Sequence, residues 1–494
     1  MAEWGEPEAN NGTGTPEGRM SQSTIVRSSF GTFLARVATS VSVFLAVFYL
    51  ATTGASVLGV YSLFIAVVEV VGLVTDAGLS AAAKKRISEG VERDEFFTAA
   101  LLTRLGIFVA VAAVLVGFRG EITAYIGHEF AVPFLLLCSL TYLVQSTLYE
   151  SLSGEKRVAR AGLLGFVSNG GRLVAWIPLL ALDYGVFGIL VGVWLGQVLA
   201  VVVGVAMLSL QLRRPARRHF ESLFRFAKYS WMGALQETSW IWTDTLILGV
   251  FVAPALVGVY ELSWQITGVL FFVASAISSA LFPNISELAA RNDYDRVTDL
   301  LERSLVYVGI MSIPGFVGGI IFAEPILAMF GDEYRVGATA VVVLLLARAF
   351  HSYEVVFGEA LNALDRPDLM FRTNLVFLVL LISLNVVGIT LFGWVGAAFA
   401  TTAAMVVRTA LSFYFIRSIL PFTVPTREIG FEILAALFMG ACLWVLTPDA
   451  TLGIPTTLLL VGTGAAIYAL TVLALIERVR VEASGLVSNV RTLL

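Results

Sequence analysis

The chain of 494 residues is 58% hydrophobic and only 14% charged, with a formal net charge of −4 and a mean hydropathy of +0.86. No stretch is polar enough to form a soluble domain, so a string of soluble domains is excluded despite the length. The net charge hides an asymmetry: 24 of the 32 Lys and Arg fall in every second gap between long apolar stretches, only Arg119 and Arg335 fall in the intervening gaps, and six lie inside apolar stretches. Basic residues kept to one side mark a polytopic membrane protein with that side facing the cytoplasm.

In chain order, the polar tail over residues 1–29 is too poor in apolar groups to bury a core and is expected to be a disordered cytoplasmic tail. Glu3, Glu6 and Glu8 stand where a signal peptide would carry basic residues. Fourteen stretches then reach the roughly 20 apolar residues a spanning helix needs. They lie at about 30–51, 55–76, 97–117, 130–150, 161–182, 184–209, 229–251, 256–283, 304–323, 337–361, 369–391, 393–416, 428–447 and 454–476. Fourteen crossings place both termini in the cytoplasm. The expected fold is an all-α polytopic protein: a six-helix bundle over 30–210, a basic cytoplasmic linker over 211–228, a second six-helix bundle over 229–417, two additional helices within 428–476, and a cytoplasmic tail over 477–494. Cys138 and Cys442 both lie in apolar spans and read as packing residues.

The two bundles are expected because the chain repeats itself at an offset near 200 residues. Leu58-Gly59-Val60-Tyr61 recurs as Val257-Gly258-Val259-Tyr260, with Ile87-Ser88-Glu89 recurring as Ile285-Ser286-Glu287. Glu150-Ser151-Leu152-Ser153 recurs as Glu359-Ala360-Leu361-Asn362, and Tyr184-Gly185-Val186-Phe187-Gly188 as Phe392-Gly393-Trp394-Val395-Gly396. Six helices are an even number, so both halves insert the same way round, the parallel-repeat pattern of secondary transporters working by alternating access.

Charges inside a bilayer cost about 2.5–3.5 kcal/mol each on insertion scales and therefore need a partner or a wet cavity. Arg36, Arg104, Arg172, Arg348 and Arg408 lie within spans, as do Glu69, Glu237, Asp244, Glu261 and Glu354. Arg36, Arg104 and Arg408 sit near the cytoplasmic ends of their helices, where they can snorkel. Arg172 and Arg348 sit near mid-depth, where snorkelling is hardest. Arg172 follows Ser168-Asn169-Gly170-Gly171, so Arg172, Arg36, Arg348 and Asn169 are the candidate cavity residues for an anionic group such as phosphate, which Arg binds as a fork. The competing reading pairs these arginines with acids merely to fix packing. Glu237 and Asp244 share one face of their helix about 10 Å apart, and with Glu261 and Glu354 they are candidates for coupling to H+ or Na+. No metal or cofactor is expected.

These motifs carry a resemblance. The run Leu58-Gly59-Val60-Tyr61 to Gly78-Leu79 with Lys84-Lys85-Arg86 resembles the first helical hairpin of the polysaccharide repeat-unit flippases. Thr243-Asp244-Thr245-Leu246-Ile247-Leu248-Gly249, Pro283-Asn284-Ile285-Ser286 and Gly393-Trp394-Val395-Gly396-Ala397-Ala398 resemble later segments of the same family, a branch of the multidrug/oligosaccharidyl-lipid/polysaccharide exporter superfamily. The resemblance covers residues 30–480. It implies a V-shaped pair of six-helix bundles that moves a polyprenyl-phosphate- or diphosphate-linked glycan from the cytoplasmic to the outer leaflet. Cavity cations would hold the lipid phosphate, an ion gradient or the membrane potential would supply energy, and glycan-assembly enzymes would be neighbours in the pathway.

A multidrug antiporter of the same superfamily is the nearest alternative, and the extra helix pair counts against it. A facilitator-type sugar transporter shares the parallel repeat, but its loop signature is only half met by Gly72 and Asp76. A membrane glycosyltransferase would need a long outer loop, and no outer gap exceeds about a dozen residues. An ATP-driven pump would need a GxxxxGK[ST] segment, which the chain lacks.

Overall fold

Apolar stretches of this length satisfy their backbone N–H and C=O groups inside a bilayer only by coiling into helices. A computed structural model describes residues 39, 41–447 and 453–481, the side chains of residues 229, 232, 234, 236 and 237 excepted. In the first half the helices are α1 (Val41–Ala51), α2 (Ala55–Asp76), α3 (Leu79–Ser88), α4 (Arg93–Gly117), α5 (Arg119–Ile126), α6 (Ala131–Gly154), α7 (Val158–Ala181) and α8 (Gly185–Met207). The second half continues with α9 (Arg217–Phe251), α10 (Pro254–Thr267), α11 (Phe271–Ala290), α12 (Tyr294–Ala328), α13 (Ala338–Ala363), α14 (Pro367–Phe392) and α15 (Val395–Ile419). Then come α16 (Thr426–Leu446) and α17 (Ile454–Leu475). Among the described residues, 12 helices are long and apolar enough to cross a membrane, α10 and α11 counting as one, and α1 is a shorter apolar helix at the place of the first expected span. The protein is an all-α, multi-pass membrane protein.

Two features differ from the expected spans. The second part of the basic linker and the seventh span form one helix, the 35-residue α9. Leu223 and Ala227, one turn apart, lie in a buried cluster with Leu79, Ala82, Ile87 and Phe97 of α3 and α4, so this segment gains more by docking an apolar stripe than by running free. Its start is tied down by His219, whose Nδ1 accepts the Ala216 backbone N–H at 2.8 Å while Nε2 meets Glu92 Oε2 at 2.9 Å. That bond holds the half-buried Glu92 carboxyl below the usual glutamate range, with Arg218 adding to it. The eighth span is broken at Gly268–Leu270 by one 3-10 turn.

At the end of the bundle remote from the basic gaps, the two halves are sealed together. α2 crosses α10 where Gly59 meets Gly258, the matching glycines of the sequence repeat. A Cβ on Gly258 would stand 2.9 Å from the Gly59 nitrogen and press on the Ala55 carbonyl, so only glycine permits this approach. The Ala55 N–H donates to Glu333 Oε1 at 2.8 Å, the Tyr334 hydroxyl to the Ala51 carbonyl at 3.0 Å, and the Tyr125 hydroxyl to the Leu246 carbonyl at 2.8 Å. Beneath these bonds one apolar cluster takes Leu50, Leu58 and Phe64 from the first half and Val259, Leu262 and Val341 from the second. The last two helices pack on α12, with Phe322 buried against Ala435, Met439 and Leu443.

Candidate functional site

Arg172 lies on α7, whose Gly171 packs against the backbone of Gly196 on α8; a Cβ at Gly171 would stand 3.3 Å from the Gly196 Cα. One glycine of the Gly170-Gly171 pair therefore serves helix packing, while Gly170 faces open space. Asn169 turns back on its own helix, its Nδ2 donating to the Gly165 carbonyl at 2.8 Å. The Arg172 guanidinium donates from Nη1 to the Tyr61 hydroxyl at 2.8 Å and lies 5.4 Å from the Trp176 ring centre. Its Nε is buried without a hydrogen-bond partner, and among the described residues no acid forms an ion pair with it. An indole backs the cation and leaves its N–H edge free to receive an anion.

Arg348 on α13 repeats the arrangement in the second half. Its guanidinium sits 3.7 Å over the ring of Trp264, only 7% of the residue is exposed, and Nε lacks a partner. Beside it, His351 stacks on Phe271 with ring centres 4.5 Å apart. Glu261, on α10, accepts among the described residues only a long bond of 3.5 Å from Thr245.

Two other span arginines are paired. Arg104, 1% exposed, does not snorkel: Nε meets Asp76 at 3.4 Å, Nη1 donates to Thr147 at 2.6 Å, and Nη2 donates to Ser146 at 2.8 Å. Arg408 likewise stays inside, 3.1 Å from Glu354, which also receives the Ser412 hydroxyl at 3.4 Å. The position of the partner acid, rather than distance from the membrane surface, decides where these two cations point. Arg36 and the side chain of Glu237 lie outside the described residues.

Asp244 is the most elaborately held acid. Its carboxylate accepts Asn385 Nδ2 at 2.8 Å from α14, the Thr401 hydroxyl at 2.6 Å from α15, and the Tyr260 hydroxyl from α10. Asn385 is fully buried and its Oδ1 has no donor among the described residues. Four helices thus converge on one carboxylate with a spare amide oxygen beside it. Tyr260 is the repeat counterpart of Tyr61: the same motif position holds a cation in the first half and an acid in the second. Sequence reasoning missed Tyr260, Asn385 and Thr401 as partners of Asp244, although Asn385, deep in an apolar run of its span, was a usable signal.

Residues 53–338 match the family model of a polysaccharide biosynthesis protein, and the chain is 30% identical over 463 residues to a probable flippase, AglR, of Haloferax volcanii, covering 91% of this chain and 96% of that one. The chain belongs to the polysaccharide biosynthesis protein family. A second Haloferax volcanii relative of this family member, a probable low-salt glycan biosynthesis flippase, is 29% identical over 85% of this chain and 89% of its own. Among solved structures, the lipid II flippase MurJ in an inward closed conformation superposes with a TM-score of 0.73 at 16% identity, covering 92% of this chain and 99% of that one. An inward-facing multidrug resistance MATE transporter of the MOP superfamily gives 0.60 at 14% identity, covering 80% and 98%. At these identities the likeness establishes the fold that the family member shares with both.

Proposed function

We propose that this protein is a flippase that carries a polyprenyl-phosphate- or diphosphate-linked oligosaccharide from the cytoplasmic to the outer leaflet by alternating access. The observation that carries the reading is Arg172: a guanidinium within a span, backed by Trp176 and anchored by Tyr61, without an acid to neutralise it among the described residues. Such a cation is costly to keep in a membrane unless an anion visits it. Arg348 over Trp264 supplies a second indole-backed cation from the other half, so two arginines on opposite bundles can hold one phosphate or diphosphate group. The relatives' names point the same way, and the sealed end around Gly59 and Gly258 suits a state open only towards the basic, cytoplasmic end.

Asp244 is our choice for coupling. A carboxylate flanked by the Asn385 amide oxygen and the Thr401 and Tyr260 hydroxyls offers the oxygen set that a proton or a hard cation takes. An ion bound there would tie α9 to α10, α14 and α15, and its release would loosen them. Glu354, already ion-paired to Arg408, is better read as structural.

The deciding experiment compares Arg172→Ala and Arg172→Lys in cells that depend on the protein for a surface glycan. Arg172→Ala should lose the glycan while membrane abundance stays near normal, and Arg172→Lys should keep part of it, having charge without the planar fork. An Arg172→Ala protein that is abundant and fully active would end the assignment.

A further inference from the structure

The phosphate reading leaves unexplained a cavity of about 420 Å³ between α2, α4, α6, α7 and α9. Its volume lies in the range of small-ligand pockets, about 300–1,000 Å³. Its walls are largely apolar in area but carry several charged side chains, and those charges are engaged with one another. Arg104 donates through Nη1 to Thr147 and through Nη2 to Ser146, and its Nε, without a hydrogen bond among the described residues, is ion-paired to Asp76 at 3.4 Å. Glu150 holds Lys84 at 3.2 Å, and Glu69 accepts the Tyr142 hydroxyl at 3.2 Å. A phosphate would find no uncommitted cation here, and an organic amine would meet carboxylates already paired or hydrogen-bonded. What remains is a set of donors and acceptors: the neutral Gln145, Tyr149 and Thr238, the charged oxygens of the carboxylates, and Ser80 Oγ, which is buried with no hydrogen-bond partner among the described residues. Carboxylate and amide oxygens, hydroxyls and tyrosine ring faces are what the O–H edges and C–H faces of a sugar ring require.

The position fits as well as the chemistry. Glu69 follows Tyr61 by eight residues on α2, and Gly165, on the cavity wall, precedes Arg172 by seven residues on α7. At 1.5 Å per residue both helices place the cavity about 10–12 Å from the Arg172–Tyr61 pair, on the side of the basic end. Lipid tail, phosphate and glycan follow one another in that order in a lipid-linked sugar entering from the cytoplasmic leaflet.

We propose that this first-half cavity is a saccharide subsite that takes the leading sugar residues of the substrate while Arg172 takes its phosphate. The proposal rests on the flippase reading and names which part of the substrate the protein recognises by hydrogen bonding. It is tested on the full chain in lipid nanodiscs, with affinity measured for a short-chain polyprenyl phosphate and for the same lipid carrying one hexose. The hexose should tighten binding to the parent protein by about tenfold, the effect of one or two charge-assisted hydrogen bonds. Glu69→Gln and, as a second variant away from the Tyr142 bond, Gln145→Ala should each lose most of that gain while binding the bare lipid within about twofold of the parent. Arg172→Ala should weaken both lipids alike. Equal hexose gains in parent and variants, or no gain in the parent, would overturn the saccharide site and leave the flippase reading standing. A parent that binds neither lipid would overturn both. Displacement of the glycosylated lipid by a lipophilic amine, in the parent but not in Glu69→Gln, would reassign the cavity to cations.

Discussion

Arg408→Met tests how charges inside this bundle are sorted into structural and functional ones. Glu354 is 1% exposed, and its strongest contact is the Arg408 Nε at 3.1 Å, with Ser412 a weaker donor at 3.4 Å. Removing the cation strands a buried carboxylate, which costs about 3–5 kcal/mol. Removing both, as Glu354→Leu with Arg408→Met, leaves no charge to desolvate and should return stability to within about 1–2 kcal/mol of the parent. Arg172→Ala, by contrast, strands no acid and gives up one hydrogen bond and an indole contact, a loss of about 1–2 kcal/mol. Cys138 is buried and free, so a thiol-reactive fluorophore added during a thermal ramp reports unfolding of all three variants in detergent. The expected order of midpoints puts Arg408→Met lowest, with Arg172→Ala and the double variant close to the parent. A double variant as unstable as Arg408→Met alone, or an Arg172→Ala variant less stable than Arg408→Met, would refute the sorting.

Three further outcomes follow from the geometry. Gly258→Leu should prevent the approach of α10 to α2 and hold the sealed end open, seen as loss of a disulfide cross-link between cysteines placed at Ala55 and Glu333 that forms readily without the leucine. Asp244→Asn keeps the shape of the Asn385, Thr401 and Tyr260 cluster but removes its charge, so transport should lose its dependence on pH or sodium; an unchanged ion response would move coupling to Glu261 or Glu237. The Glu92 carboxyl is held low by His219, so its contribution to docking the start of α9 is complete at neutral pH and disappears only as the pH falls through the lowered value, below the ordinary glutamate range. Pepsin should cleave near Arg217 in the parent only in that acidic window, and in Glu92→Gln at every pH where pepsin acts.

The spans were legible because the length and apolarity of a stretch are local properties of the chain. Arg172 and Asp244 stood out for the same reason: an ion in an apolar run is conspicuous without any structure. Their partners were not legible, since Asn385 and Thr401 lie 141 and 157 residues from Asp244 and only the packing of four helices joins them. Pairing also decided Arg104 and Arg408, which the chain alone placed among the snorkelling residues. Asp76 and Glu354 hold them inside, and no spacing rule connects Arg104 to Asp76 or Glu354 to Arg408. The continuity of α9 was hidden because a basic loop and an amphipathic helix carry similar composition, and the apolar stripe through Leu223 and Ala227 becomes decisive only when α3 and α4 are there to receive it.

The central claim is that the protein moves a lipid-linked glycan and that Arg172 takes its phosphate. Unilamellar vesicles holding the purified chain and a fluorescent polyprenyl-diphosphate oligosaccharide, with an impermeant quencher added outside, test it most directly. Fluorescence from the inner leaflet should decay with time only when the protein is present, and vesicles with an equal amount of folded Arg172→Ala should decay at the rate of protein-free ones. Protein-independent decay in the parent sample, or parent-like decay with Arg172→Ala, would contradict the account.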